Sequence, residues 1–136
     1  MNKSLLFLTL LASVLTACTT TIRRPKDPVF TKSVDSLKIE LGQLFSSENL
    51  RVGGAEITTN GATSSELEID VINGQHIPEV QDQQKALARA IASDLKRALK
   101  DSTEYGVYKV LFVTETTQSG ATVRKWTGQV FKSKEL

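Results

Sequence analysis

The chain has 136 residues, 40% of them hydrophobic and 24% charged, with a formal net charge of +2. That length suits one domain rather than two. A single histidine and a single cysteine exclude a zinc site built from several His or Cys ligands and any disulfide within the chain.

The net charge hides an asymmetry. Lys3, Arg23, Arg24 and Lys26 all precede residue 31, as does Asp27, which leaves 13 basic and 14 acidic residues in 31–136. A nucleic-acid-binding domain needs a strongly positive face, and this balance of about −1 argues against one.

In chain order, Asn2-Lys3 gives a short positive start, and 5–15 reads LLFLTLLASVL, uncharged and mostly large and aliphatic. This run is shorter than the ~20 apolar residues that span a bilayer. Its length suits a signal-peptide core, closed by the small residues Thr16 and Ala17. The competing reading, a buried N-terminal helix, does not account for the order of charged start, apolar core and small-residue exit.

Leu15-Thr16-Ala17-Cys18 then resembles the lipobox of bacterial lipoproteins. All four positions match, and the resemblance covers only the N-terminal segment. It implies removal of residues 1–17, a diacylglyceryl thioether on Cys18 and, usually, an acyl chain on its freed amine. Two or more chains hold a protein stably at a membrane where one gives marginal binding. In this class Asp after the cysteine favours inner-membrane retention. Thr19 stands there instead, which points to the outer membrane of a two-membrane cell, facing the periplasm.

Residues 19–28, TTTIRRPKDP, read as a flexible tether because proline, threonine and charge dominate. The expected organisation is therefore a signal peptide over 1–17, a lipidated cysteine and tether over 18–30, and one domain over 31–136. Arg23, Arg24 and Lys26 are placed to meet anionic headgroups, at about 1 kcal/mol each near such a surface. A simply solvated linker fits equally well.

Within the domain, Val34, Leu37, Leu41, Leu44 and Phe45 recur at helical spacing over 31–47, with Thr31 or Ser33 available as a cap. Two strands, 50–59 and 65–72, flank Asn60-Gly61, a strong two-residue hairpin signal because both turn positions take positive φ. That register sets Leu50 opposite Val71, Val52 opposite Ile69 and Gly54 opposite Leu67, all on one face. On the other face it pairs Arg51 with Asp70.

A loop over 73–78 leads to the strongest helix, 79–100, with an apolar stripe of Val80, Leu87, Ala88, Ile91, Leu95, Ala98 and Leu99. Acidic residues near its start and basic ones near its end complement the helix dipole. Lys85, Arg89, Lys96 and Lys100 line its back, which reads as a solvated face. Two more strands, 107–116 and 122–131, turn near Ser119-Gly120. They pair Glu115 with Arg124, Val113 with Trp126, Leu111 with Gly128 and Tyr108 with Phe131. The Gly-Ala-Thr shared by the two hairpins is weak evidence of duplication.

The expected fold is α+β, a two-layer sandwich of order α-β-β-α-β-β, with a four-stranded antiparallel sheet and both helices on one face. Leu50, Val52, Leu67, Ile69, Val71, Val107, Leu111, Val113, Trp126 and Val130 would then face the helices. Tyr108, Val110, Phe112 and Phe131 would lie on the far face as an exposed apolar cluster, the kind that marks an interaction surface. Its occupant would be a second copy, another envelope protein or the first helix of the chain itself.

Catalytic constellations are absent from the pattern. His76 sits in a loop without a positioned nucleophile. Glu66, Glu68 and Asp70 point one way, but a straight strand supplies poorly the six to eight oxygens of a calcium site. Gly53-Gly54 precedes no helix opening with Lys-Ser or Lys-Thr and reads as a bulge or bend. The expectation is a lipid-anchored, non-catalytic interaction or structural module with no cofactor or metal. Its partners would be the membrane and a protein or a second copy. The alternative is a small-ligand binder or enzyme with a pocket between sheet and helix near His76.

Overall fold

The computed structural model describes residues 19–47 and 49–136; the expected leader and Cys18 lie outside them. Among the described residues the order is β1 (Thr21–Pro25), α1 (Val34–Gly42), β2 (Asn49–Thr59), β3 (Ala62–Ile72), α2 (Gln81–Ala98), β4 (Val107–Gln118) and β5 (Ala121–Lys132). A short 3-10 turn, Ser133–Glu135, follows. The five strands form one sheet in sequence order.

Both hairpins follow from their turn residues. Asn60 and Gly61 have φ of 51° and 81°, and Ser119 and Gly120 repeat those values. Such pairs match the right-handed twist of the flanking strands. The registers are those expected: Leu50 faces Val71 and Val52 faces Ile69, while Val113 faces Trp126 and Leu111 faces Gly128.

The sheet has five strands, not four, and it is mixed. β3 runs parallel to β4 while the other neighbours are antiparallel. The long connection through α2 is what permits a parallel neighbour, since a tight turn allows only antiparallel return.

The extra strand comes from the segment expected to be a tether. Thr21–Pro25 pairs with β2 from Thr21↔Thr59 to Pro25↔Ala55. Thr20 and Asn60 exchange hydrogen bonds: the Asn60 amide donates to the Thr20 carbonyl at 3.2 Å, and the Thr20 amide donates to Asn60 Oδ1 at 3.3 Å. The Lys26 amide donates to the Gly54 carbonyl at 3.0 Å, and the buried Tyr105 hydroxyl donates to the Lys26 carbonyl at 2.7 Å. Further on, the Lys100 amide donates to Val29 and the Thr31 amide to Ala98, both at 2.8 Å. The chain is thus bound into the fold from Thr20 onward. Composition hid this because an edge strand held by backbone bonds needs few apolar side chains.

Both helices pack on one face, in a core of Leu37, Leu41 and Phe45 from the first helical segment and Ala88, Ile91, Ala92, Leu95 and Ala98 from α2. Ser33 caps α1, its Oγ accepting from the Ser36 amide. The stripes are shorter than their periodicity suggested: Val34, Leu44 and Val80 are exposed.

The strand residues on that face include Leu50, Leu67, Ile69, Val71, Tyr108, Val110, Phe112 and Phe131. This inverts the expected phase of the second hairpin. Parallel pairing sets Leu67 beside Tyr108, Ile69 beside Val110 and Val71 beside Phe112, so the even residues of β4 turn toward the helices. Tyr108, Val110, Phe112 and Phe131, expected as an exposed docking cluster, are buried core. Both faces of β4 read as apolar, so alternation could not set the phase. Each large side chain buried here contributes about 1.5–3 kcal/mol, and four of them decided it.

Candidate interaction surface

The helix-free face collects the residues that alternation leaves over. Arg51 on β2, Glu66, Glu68 and Asp70 on β3, Lys109 and Glu115 on β4, and Arg124 on β5 share it. They form a lattice in which Lys109 Nζ lies 3.3 Å from Glu66 and 3.4 Å from Glu68. Arg124 reaches Glu115 at 2.9 Å and, across β4, Asp70 at 3.0 Å. Arg51 lies opposite Asp70 in register but is within ion-pair distance of Glu115, at 4.0 Å. The acidic row of β3 is therefore engaged by cations of β4 and β5, and among the described residues no group of His, Cys, Asp and Glu is arranged to hold a metal ion.

Beside this lattice lies an apolar strip. Trp126 is 66% exposed and Val130 60%, with half-buried Leu111 between β5 and the lattice. Gly128 makes the strip possible: a Cβ there would lie 2.7 Å from Leu111 Cδ2, with Trp126 ring carbons at 3.6–3.7 Å. This strip is not the expected cluster of Tyr108, Val110, Phe112 and Phe131, which is buried; it is built from the opposite set of side chains. Trp126 and Val130, expected in the core, carry it.

β5 is also a sheet edge. The Val113 carbonyl accepts from the Asn73 amide, and the Glu115 amide donates to Asn73 Oδ1, both at 2.8 Å. Both groups therefore turn toward β3. In an antiparallel ladder their partners Trp126 and Arg124 must then turn their own N–H and C=O away from β4, as do Gly128 and Val130 by alternation. Lys132 fits the same phase. Its amide is taken up by Glu135 Oε2 at 2.8 Å, so the C-terminal turn closes one end of the edge.

The two edges differ in kind. β1 is five residues long and ends in Pro25, both features that blunt an edge. β5 is twelve residues long and has no proline. No family model matches this chain, and no curated protein or solved structure matches it either.

His76 is exposed, in a loop at φ 61°. A shallow cleft of about 210 Å³ near that loop is lined by Ile77, Gln84, Phe112, Thr114 and Thr127 among others, and His76 is not among them. Ligand pockets usually run upward of ~300 Å³ and enclose most of their ligand. The back of α2 is not idle: Lys96 Nζ donates to the Ser133 carbonyl at 2.6 Å, and Arg89 donates to the Glu135 carbonyl and stacks over Phe131 at 5.2 Å. Burial, followed by the charges of Glu104 and Asp27, pushes the Tyr105 hydroxyl up to about 12. That phenol is structural, pinned against the segment that stands in place of the expected tether. No helix among the described residues is long and apolar enough to cross a membrane.

Proposed function

We propose that this chain is a lipid-anchored envelope protein, attached through Cys18 to the periplasmic face of an outer membrane, and that it acts non-catalytically by taking an extended segment of a partner protein onto the free edge of β5. The lipobox resemblance supports the anchor and the address. The docking part rests on one observation: the outward-turned backbone of Arg124, Trp126, Gly128 and Val130 beside an exposed tryptophan. Strand addition draws affinity from main-chain hydrogen bonds and specificity from side chains on alternate positions. β5 supplies the first along its length and the second through Trp126, Val130 and the cations Lys125 and Lys132, with no carboxylate on the strand. The fitting partner strand alternates apolar residues with acidic ones.

The test is made on the full chain in its native envelope. A photo-crosslinking residue at Thr127, on the edge strand, is compared with one at Lys38 on α1, each with and without Val130→Pro. Crosslinking to one defined partner at Thr127, lost with the proline and absent at Lys38, supports the reading. Equal crosslinking at both positions, or indifference to the proline, overturns it. Incorporation of a palmitate analogue that disappears in Cys18→Ala tests the anchor separately.

A further inference from the structure

The point at which the fold begins fixes how the molecule meets its membrane. From the lipobox cysteine to Thr20 is two residues, and extended chain spans at most ~3.3–3.6 Å per residue, so the reach is about 7 Å. Thr20 is already bound on both sides to Asn60 at the tip of the β2–β3 hairpin. The bilayer's polar layer is itself roughly 5–8 Å deep on each side. A thioether whose chains lie in hydrocarbon therefore leaves no room for the hairpin tip to stand clear of the headgroups.

The chemistry of that end agrees with such contact. Residues 57–65 form the tip, ITTNGATSS, and contain no carboxylate. Residues 19–26 contain none either, and they carry Arg23 and Arg24, both exposed, on the two faces of β1. Threonine and serine hydroxyls with two guanidiniums offer donors to phosphate oxygens, and Glu56, the carboxylate of β2 at this level, stands opposite Arg24. Ile22, 48% exposed, adds an apolar side chain at the same end.

We infer that the sheet stands on the bilayer, its β2–β3 tip and the start of β1 seated against phospholipid headgroups, instead of hanging from a flexible tether. The inference rests on the proposed lipidation of Cys18. It also sets the height of the docking edge. Trp126 is level with Ile72 through Val113, at the far end of β3 from the tip. Ten steps of ~3.3 Å place it roughly 30 Å outward along the sheet. The β4–β5 hairpin extends beyond that level, pointing away from the membrane.

The test uses the full-length lipidated protein in vesicles of phosphatidylethanolamine and phosphatidylglycerol, with a fluorophore on Ala62→Cys at the tip or on Gln118→Cys at the opposite end. The lipid carries a nitroxide on its headgroup. Strong quenching at position 62 and none at 118 is the expected result, and a flexible six-residue insertion between Thr19 and Thr20 should abolish the quenching at 62. Equal, weak quenching at both sites in protein that floats with the vesicles overturns the seated orientation and leaves the anchor intact. Quenching at 62 that survives the insertion also overturns it, because the short reach would then not be the cause. Failure to float, with a free thiol at Cys18, overturns the anchor and this inference together. Circular dichroism on each variant confirms that the sheet has formed.

Discussion

Arg124 on the edge strand reaches over β4 to Asp70 on β3, with Nη2 3.0 Å from Oδ2, while its Nε holds Glu115 at 2.9 Å. One guanidinium thus ties three strands of the open face. The Asp70 side chain is only 13% exposed, and its second oxygen has no hydrogen-bond partner among the described residues, so this cation is its main compensation. Arg124→Ala should lower unfolding stability by about 1–2 kcal/mol, because a largely desolvated carboxylate is left without its partner. Urea denaturation measures it. Asp70→Asn on the same background should cost less than it does alone, since the two groups share one interaction.

The fit of Leu111 over Gly128 gives a second prediction. A methyl group at position 128 would sit 2.7 Å from Leu111 Cδ2, closer than carbon atoms approach. That atom is the free end of a half-buried leucine, which can turn aside, so Gly128→Ala should destabilise the domain by under about 1 kcal/mol, the low end of overpacking costs. Leu111→Ala should recover most of that loss. If urea denaturation of Gly128→Ala shows a loss well above that, the leucine is not free to turn aside.

Tyr105 ties pH to the attachment of the N-terminal strand. Its hydroxyl is pushed up to about 12, against 10 in an unfolded chain, so between those values the unfolded state loses a proton that the folded state keeps. Stability contributed by the neutral phenol is complete below pH 10 and falls as pH rises from about 10 to about 12. Tyr108, raised mainly by burial, acts in the same direction. Tyr105→Phe should flatten part of this alkaline limb. It should also cost about 1 kcal/mol at neutral pH, because the Lys26 carbonyl loses its donor. Thermal melts across pH 8–12 check both.

How far the sequence can be read is clearest on β4. Both hairpin registers, both turns and both helices are legible because glycine-containing turns and helical spacing are local signals. The choice of buried face is not local. It depends on which residues of β4 lie beside Leu67, Ile69 and Val71 across a parallel junction, and alternating apolar residues on both faces conceal the answer. Trp126 runs against expectation for a physical reason: a large aromatic is the usual marker of a core, and here it falls on the sheet face without helices, while Phe131 on the same strand is buried. β1 is hidden from sequence because it is held by backbone bonds, with the residue after it, Lys26, bound by a tyrosine hydroxyl 79 residues away in the chain. That β5 is a free edge follows from strand order, which no local pattern encodes.

The inverted face makes a sharp comparison of two aromatic residues. Phe112 is 7% exposed and Trp126 66%. Phe112→Glu should unfold the domain or cost more than about 3 kcal/mol, because a charge replaces a packed ring. Trp126→Glu should leave the fold within about 1 kcal/mol of the wild type, since its side chain meets solvent. Equal losses for the two would mean that the face assignment is wrong.

The phase of the β5 ladder is open to a test that needs no partner. Gln129 lies opposite Val110 and Val130 opposite Lys109, and only the odd-numbered residues of β5 turn their amides toward β4. Gln129→Pro removes a ladder hydrogen bond and leaves the Val110 carbonyl without its donor, so it should cost about 2–3 kcal/mol. Val130→Pro removes an amide that faces outward from an exposed position, and should cost under about 1 kcal/mol. Denaturant midpoints order the two variants. Amide exchange adds a check on the wild type: protection should alternate along β5, slow at Lys125, Thr127 and Gln129 and fast at Arg124, Trp126 and Val130. If the proline costs are reversed, the outward-turned backbone on which docking depends belongs to the other set of residues, and the edge would present Lys125, Thr127 and Gln129 to a partner instead.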